Sequence, residues 1–135
     1  GRPLMANMRL RPYLLGLAVG TCGAFYVGVS LVEDWGGLML VLIFLAHAAS
    51  GLNWVLSTTL LQERSADEWR GRVAGTDHFG ITLMMGISAV AGGYILTENI
   101  LDLRELIAVT GMVQITLCIL WIALVSGPEK QMLQA

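Results

Sequence analysis

The sequence predicts an all-α membrane protein with four transmembrane helices. Three observations carry that expectation. Apolar residues make up 56% of the 135 and charged residues only 13%, with a mean hydropathy of +0.69. Soluble globular chains carry about 25% charged residues. The eighteen charges, eight basic and ten acidic, are bunched so that four charge-free runs remain, at 12–32, 35–62, 79–97 and 106–128. A helix rises about 1.5 Å per residue and the hydrocarbon core is roughly 30 Å thick, so about 20 residues cross it. Four spans use most of the chain and leave no material for a soluble catalytic domain. Helices are expected near 12–32, 36–61, 66–97 and 105–127.

The first span is too long for the apolar part of a signal peptide, and no soluble domain follows it. Tyr13, Thr21, Tyr26 and Ser30 form no continuous polar stripe, so this helix reads as scaffold. Gly16 and Gly20 are spaced for a helix–helix contact. Glu33-Asp34-Trp35-Gly36-Gly37 then makes a tight hairpin, with Trp35 placed at the membrane interface.

The second helix is the most informative. Taking about 100° per residue from His47, Gly51, Trp54 and Thr58 fall within about 40° of it. Ser50, Ser57 and Asn53 lie at about −60° to −120°. Leu38, Val41, Leu45, Ala48, Leu52, Val55 and Leu56 occupy the opposite side. One side therefore suits lipid or packing and the other polar partners or water. Small polar residues also serve as plain helix-contact glue, and a neutral histidine making one hydrogen bond fits His47 as well as a proton carrier does.

Ser65-Ala66-Asp67-Glu68 matches a capping box, which would start the third helix near Ala66 with Trp69 at the interface. Gly71, Gly75, Gly80, Gly86, Gly92 and Gly93 make that helix glycine-rich and suit a close, sliding interface. Asp77 enters the membrane at its first turns and calls for a cation, Arg70 or Arg72, or a wet crevice. Thr110, Gln114 and Thr116 are scattered along the fourth helix, a second scaffold element. Cys22 and Cys118 lie inside spans, where a thiol acts as a small apolar group.

The basic residues set an orientation. Arg2, Arg9, Arg11, Arg64, Arg70, Arg72 and Lys130 fall on one side of the bilayer and Arg104 alone on the other. Basic short loops mark the cytoplasmic side, so both termini and the middle loop are expected there. A net charge of −2 argues against nucleic acid as a partner. No histidine, carboxylate and thiol spacing indicates a metal site, no phosphate or dinucleotide loop occurs, and no enzyme or cofactor is expected.

The stretch Asn53-Trp54-Val55-Leu56-Ser57-Thr58-Thr59-Leu60-Leu61-Gln62, then Arg70-Gly71-Arg72-Val73, then the glycine-rich helix through Gly92-Gly93, resembles the C-terminal end of major facilitator superfamily transporters. It is most similar to their bacterial drug- and siderophore-exporter branch. The likeness covers nearly the whole chain, which would correspond to helices nine to twelve of twelve. It implies that the second helix lines a substrate cavity, with His47, Ser50, Gly51, Asn53, Trp54, Ser57 and Thr58. It also implies a cytoplasmic gate at Arg70, Gly71, Arg72 and Asp77, and a half-to-half interface at Gly75, Gly86, Gly92 and Gly93. Proton-coupled efflux of a small amphipathic molecule across the cell membrane follows from the resemblance. The partners would then be membrane lipid, a small-molecule substrate and the N-terminal helices of the same transporter. The opening Gly1 and the short length fit a piece of a larger protein.

Two other readings remain open. A complete four-helix multidrug transporter working as a dimer would need a carboxylate in the first helix, and residues 12–32 have none. A non-transporting four-helix membrane subunit would show no functional consequence of changing His47 or Trp54.

Overall fold

The computed structural model describes residues 11–34 and 36–125. Four helices follow in order, α1 (Arg11–Leu31), α2 (Gly37–Arg64), α3 (Arg70–Thr97) and α4 (Leu103–Leu120), and α4 runs on into a π-helical turn at Trp121–Val125. No strand occurs among the described residues. All four helices are long and apolar enough to cross a membrane. The chain is a multi-pass, all-α membrane protein. Trp35, the termini and their charges lie outside the described residues.

The core is organised around α1. Its Ala18, Cys22 and Val29 are buried, as are Met39, Ala46 and Leu56 of α2 and Cys118 of α4. Helix α1 packs along both α2 and α4, while α3 touches little besides α2. The closest approach is between α1 and α4, and glycine makes it possible. A Cβ at Gly20 would lie 2.7 Å from Cys118 Sγ, and one at Gly16 2.8 Å from Trp121 Cδ1. Gly16 and Gly20 thus form the expected contact, and Gly23 and Gly111 extend it. Both cysteines are free and buried.

The connections depart from expectation in two places. Ser65 closes α2 instead of opening α3. Its amide and its hydroxyl both donate to the Leu61 carbonyl, at 3.1 and 2.6 Å. A helix ends with carbonyls that lack partners, and a hydroxyl can donate to one as readily as it can accept at the next helix start. A turn over 66–69 follows, with the Trp69 amide on the Ala66 carbonyl at 2.9 Å. Helix α3 begins at Arg70 with no side-chain cap. The capping box expected at Ser65–Glu68 is therefore absent.

A capping box does occur at α4, where none was anticipated. Asp102 Oδ1 accepts from the Glu105 amide at 2.7 Å, and Glu105 Oε2 accepts from the Asp102 amide at 2.9 Å. The start of α4 consequently moves to Leu103, two residues before the expected position. Asp102→Ala is expected to cost about 1 kcal/mol, read as faster amide exchange over Leu103, Arg104 and Glu105. Unchanged exchange there would count against the cap.

Helix α3 ends at Thr97, as expected. Asn99 takes a left-handed φ of 53°, its amide donates to Leu96 O, and the Ile100 amide donates to Ile95 O. This is a Schellman ending, with asparagine at the left-handed position usually held by glycine. It turns the chain tightly toward Asp102 and α4.

Arg104 ties this end of the bundle together. Its Nη2 donates to the Glu33 carbonyl at 2.5 Å, joining the start of α4 to the α1–α2 hairpin. The one basic residue at that end of the helices among the described residues thus satisfies a backbone acceptor just beyond α1. Arg104→Met is expected to cost roughly 1 kcal/mol, measured as a lower dodecyl sulfate unfolding midpoint. An unaltered midpoint would show the contact to be dispensable.

Candidate functional site

The polar side of α2 is split by its packing on α1. Met39, Ala46 and Leu56 bury against the rest of the bundle, and Asn53 and Ser57 lie half-buried on the flank of that contact. His47, Ser50, Gly51 and Trp54 stand exposed, with Trp54 49% accessible, and Thr58 is half-buried. A side chain at Gly51 would meet nothing within 4 Å. The seven residues expected on one side thus remain one strip, but only its outer part is open.

Two of the strip's polar groups have distinct fates. Ser57 Oγ donates to Trp54 O at 3.0 Å, so its hydrogen is used within the helix. Asn53 Oδ1 is buried without a partner, as is Gln114 Oε1 on α4. Most other hydroxyls on the spans behave like Ser57: Thr59, Thr76, Thr82, Thr97, Thr110 and Thr116 each donate to a carbonyl of the preceding turn. Such self-satisfied groups are tolerated in lipid.

His47 differs from them. Its Nδ1 lies 2.9 Å from the Ile43 carbonyl. A carbonyl only accepts, so Nδ1 carries the hydrogen and, in the uncharged ring, Nε2 is left as an acceptor. The ring also meets Tyr26 of α1 edge to face, with centroids 6.3 Å apart and planes at 64°. Nothing in the pattern of its own helix marks Tyr26, because α1 has no polar stripe. Only the register of α1 against α2 brings it to His47.

The Arg70–Asp77 region is not assembled as a gate within this chain. Arg70 Nη2 pairs with Asp67 Oδ1 at 2.6 Å, and Arg72 sits 5.0 Å from the centroid of the Trp69 ring. The Trp69 indole N–H donates to Glu68 Oε1 at 3.0 Å. Asp77 is exposed and takes neither expected arginine. The reason is proximity: Asp67 and Trp69 lie within one turn of the arginines, whereas Asp77 is further along α3. Gly71 is exposed with nothing near it.

Helix α3 buries no residue in this chain. Side chains placed at Gly75, Gly86 or Gly93 would meet nothing within 4 Å, and one at Gly92 would only reach Leu106 Cδ2 at 3.8 Å. The glycines expected at a close interface are therefore unpartnered here. A concavity of about 880 Å³ lies along α3 from Phe79 to Tyr94. It is an open apolar flank formed by a single helix and holds none of the polar α2 residues, so chemistry places the candidate site on α2.

Fold and site together define a multi-pass helical membrane protein with one polar strip exposed at the middle of a span. No protein-family model matches the chain, and no curated protein or solved structure matches it.

Proposed function

We propose that this chain is the C-terminal portion of a major facilitator-type transporter that exports small amphipathic molecules by proton-coupled, secondary active transport. It lies in the cell membrane with both termini cytoplasmic, as the basic loops imply. One observation carries the proposal: the outer part of the α2 strip, His47, Ser50, Gly51 and Trp54, stands uncovered at mid-span. Polar groups at that depth face a water-filled cavity or other helices rather than lipid. The bare α3 supports the same reading, because its small residues allow close approach by helices beyond this chain. Proton coupling and export rest on the family resemblance.

The test uses the full-length transporter and ethidium as a fluorescent probe. His47→Leu is expected to impair its export with expression intact. Normal export by that variant would favour the non-transporting subunit.

A further inference from the structure

We propose that Tyr26 positions His47 in the Nδ1–H tautomer, so that Nε2 is presented as a hydrogen-bond acceptor for an N–H or O–H donor on the transported molecule. The second half of this statement rests on the transport reading; the first stands on geometry alone. Two contacts fix the ring. The Ile43 carbonyl, one helical turn before His47, takes the Nδ1 hydrogen at 2.9 Å. That carbonyl has a second lone pair, so it can also receive the backbone bond that the helix requires. From the neighbouring helix, Tyr26 sets its ring at 64° to the imidazole with centroids 6.3 Å apart. Aromatic pairs favour this edge-to-face arrangement over about 4.5–7 Å.

A single hydrogen bond leaves an imidazole free to rotate about its bond to Cβ, which takes Nδ1 away from the carbonyl, puts a C–H in its place and frees Nδ1 to give up its hydrogen to Nε2 through solvent. The Tyr26 ring packed against the imidazole restricts that rotation. Tyr26 is itself held, because it is half-buried, and two residues further on a Cβ at Gly28 would lie only 3.6 Å from the Leu42 side chain of α2. The outer side of His47 is exposed. The two contacts therefore consume Nδ1 and leave Nε2 for a ligand. Beyond it along the strip, the side-chain-free Gly51 leaves room and Trp54 offers an apolar surface. An uncharged ring with its hydrogen on Nδ1 accepts there and does not donate. The ligand group that it takes is a donor attached to an apolar body, and not a carboxylate or phosphate.

The test needs no transport. The 135-residue chain, labelled with ¹⁵N in its histidine rings, is placed in lipid nanodiscs at a pH where the ring resonances no longer move. His78→Gln assigns the remaining signals to His47. The expected spectrum shows protonated Nδ1 and bare Nε2, the reverse of the preference of free histidine. Tyr26→Leu is expected to mix the two tautomers, and Tyr26→Phe to retain the native pattern, because the contact is made by the ring. Phenol, a donor on an apolar body, is expected to shift the Nε2 resonance, whereas anisole, lacking the donor, leaves it in place.

A wild-type ring protonated at Nε2, or a Tyr26→Leu spectrum identical to wild type, overturns the positioning. Equal responses to phenol and anisole overturn the presentation of Nε2. If these results hold and His47→Leu still exports ethidium normally in the full-length protein, the placement of His47 on the transport path fails while the positioning stands.

Discussion

Valine at Gly23 or Gly111 is expected to separate α1 from α4 and to destabilise the chain by about 3 kcal/mol, the upper end of ordinary overpacking. A Cβ at Gly23 would fall 2.5 Å from the Gly111 carbonyl oxygen and 3.1 Å from the Ile115 amide nitrogen. The clash is reciprocal, since a Cβ at Gly111 would fall 2.6 Å from Gly23 O and 3.0 Å from Val27 N. These obstacles are backbone atoms on both sides, and no rotamer change removes them. Relief requires the helices to move apart, which opens the layer containing Cys22 and Cys118. The loss would be read as a lower dodecyl sulfate unfolding midpoint and faster maleimide labelling of both buried thiols. Gly86→Val is the matched control, because a Cβ there would meet nothing within 4 Å beyond its own helix backbone. It is expected to change the midpoint by less than about 0.5 kcal/mol. Destabilisation by Gly86→Val as large as that by Gly23→Val or Gly111→Val would refute the assignment of the tight contact to α1 and α4.

His47→Leu in the full-length transporter is expected to reduce ethidium export about tenfold, equivalent to roughly 1.4 kcal/mol. Expression should persist, because His47 is exposed on α2 and leucine suits a membrane span. The expected loss is that of one hydrogen-bond acceptor at the transport pathway. Leu45→Ala provides the comparison from the apolar side of the same helix, where export should stay near wild type. A loss of export with Leu45→Ala as large as with His47→Leu would mean that α2 responds to any change, and the polar strip would have no special role. The subunit reading predicts a third outcome, in which neither substitution alters export.

The fold was largely legible because a bilayer imposes a length rule on apolar runs, and four such runs are visible between the charges. Element ends were less legible. Ser65-Ala66-Asp67-Glu68 and Asp102-Leu103-Arg104-Glu105 both carry the residue types of a capping box, and only the second forms one. A serine beside the last turn of one helix and the first of the next has two uses, and three-dimensional geometry selects between them. The arginines behaved likewise. Arg70 and Arg72 found Asp67 and Trp69 within one turn, so the more distant Asp77 received neither. The strip on α2 could be read from angular spacing alone, whereas Tyr26 could not, because nothing within α1 distinguishes it from its neighbours.

Composition and charge spacing alone reveal four helices long and apolar enough to span a membrane, one of them with a polar side and another rich in glycine. These are properties of single helices, governed by composition and by the 3.6-residue period. Tertiary structure alone decided which glycines are used. The close contacts fall at Gly16, Gly20, Gly23 and Gly111, while the more numerous glycines of α3 remain bare. A glycine permits close approach without choosing a partner; the partner is set by the register in which two whole helices meet. The same register brings the Tyr26 ring to the edge of His47 and turns one polar residue in a strip into an oriented one.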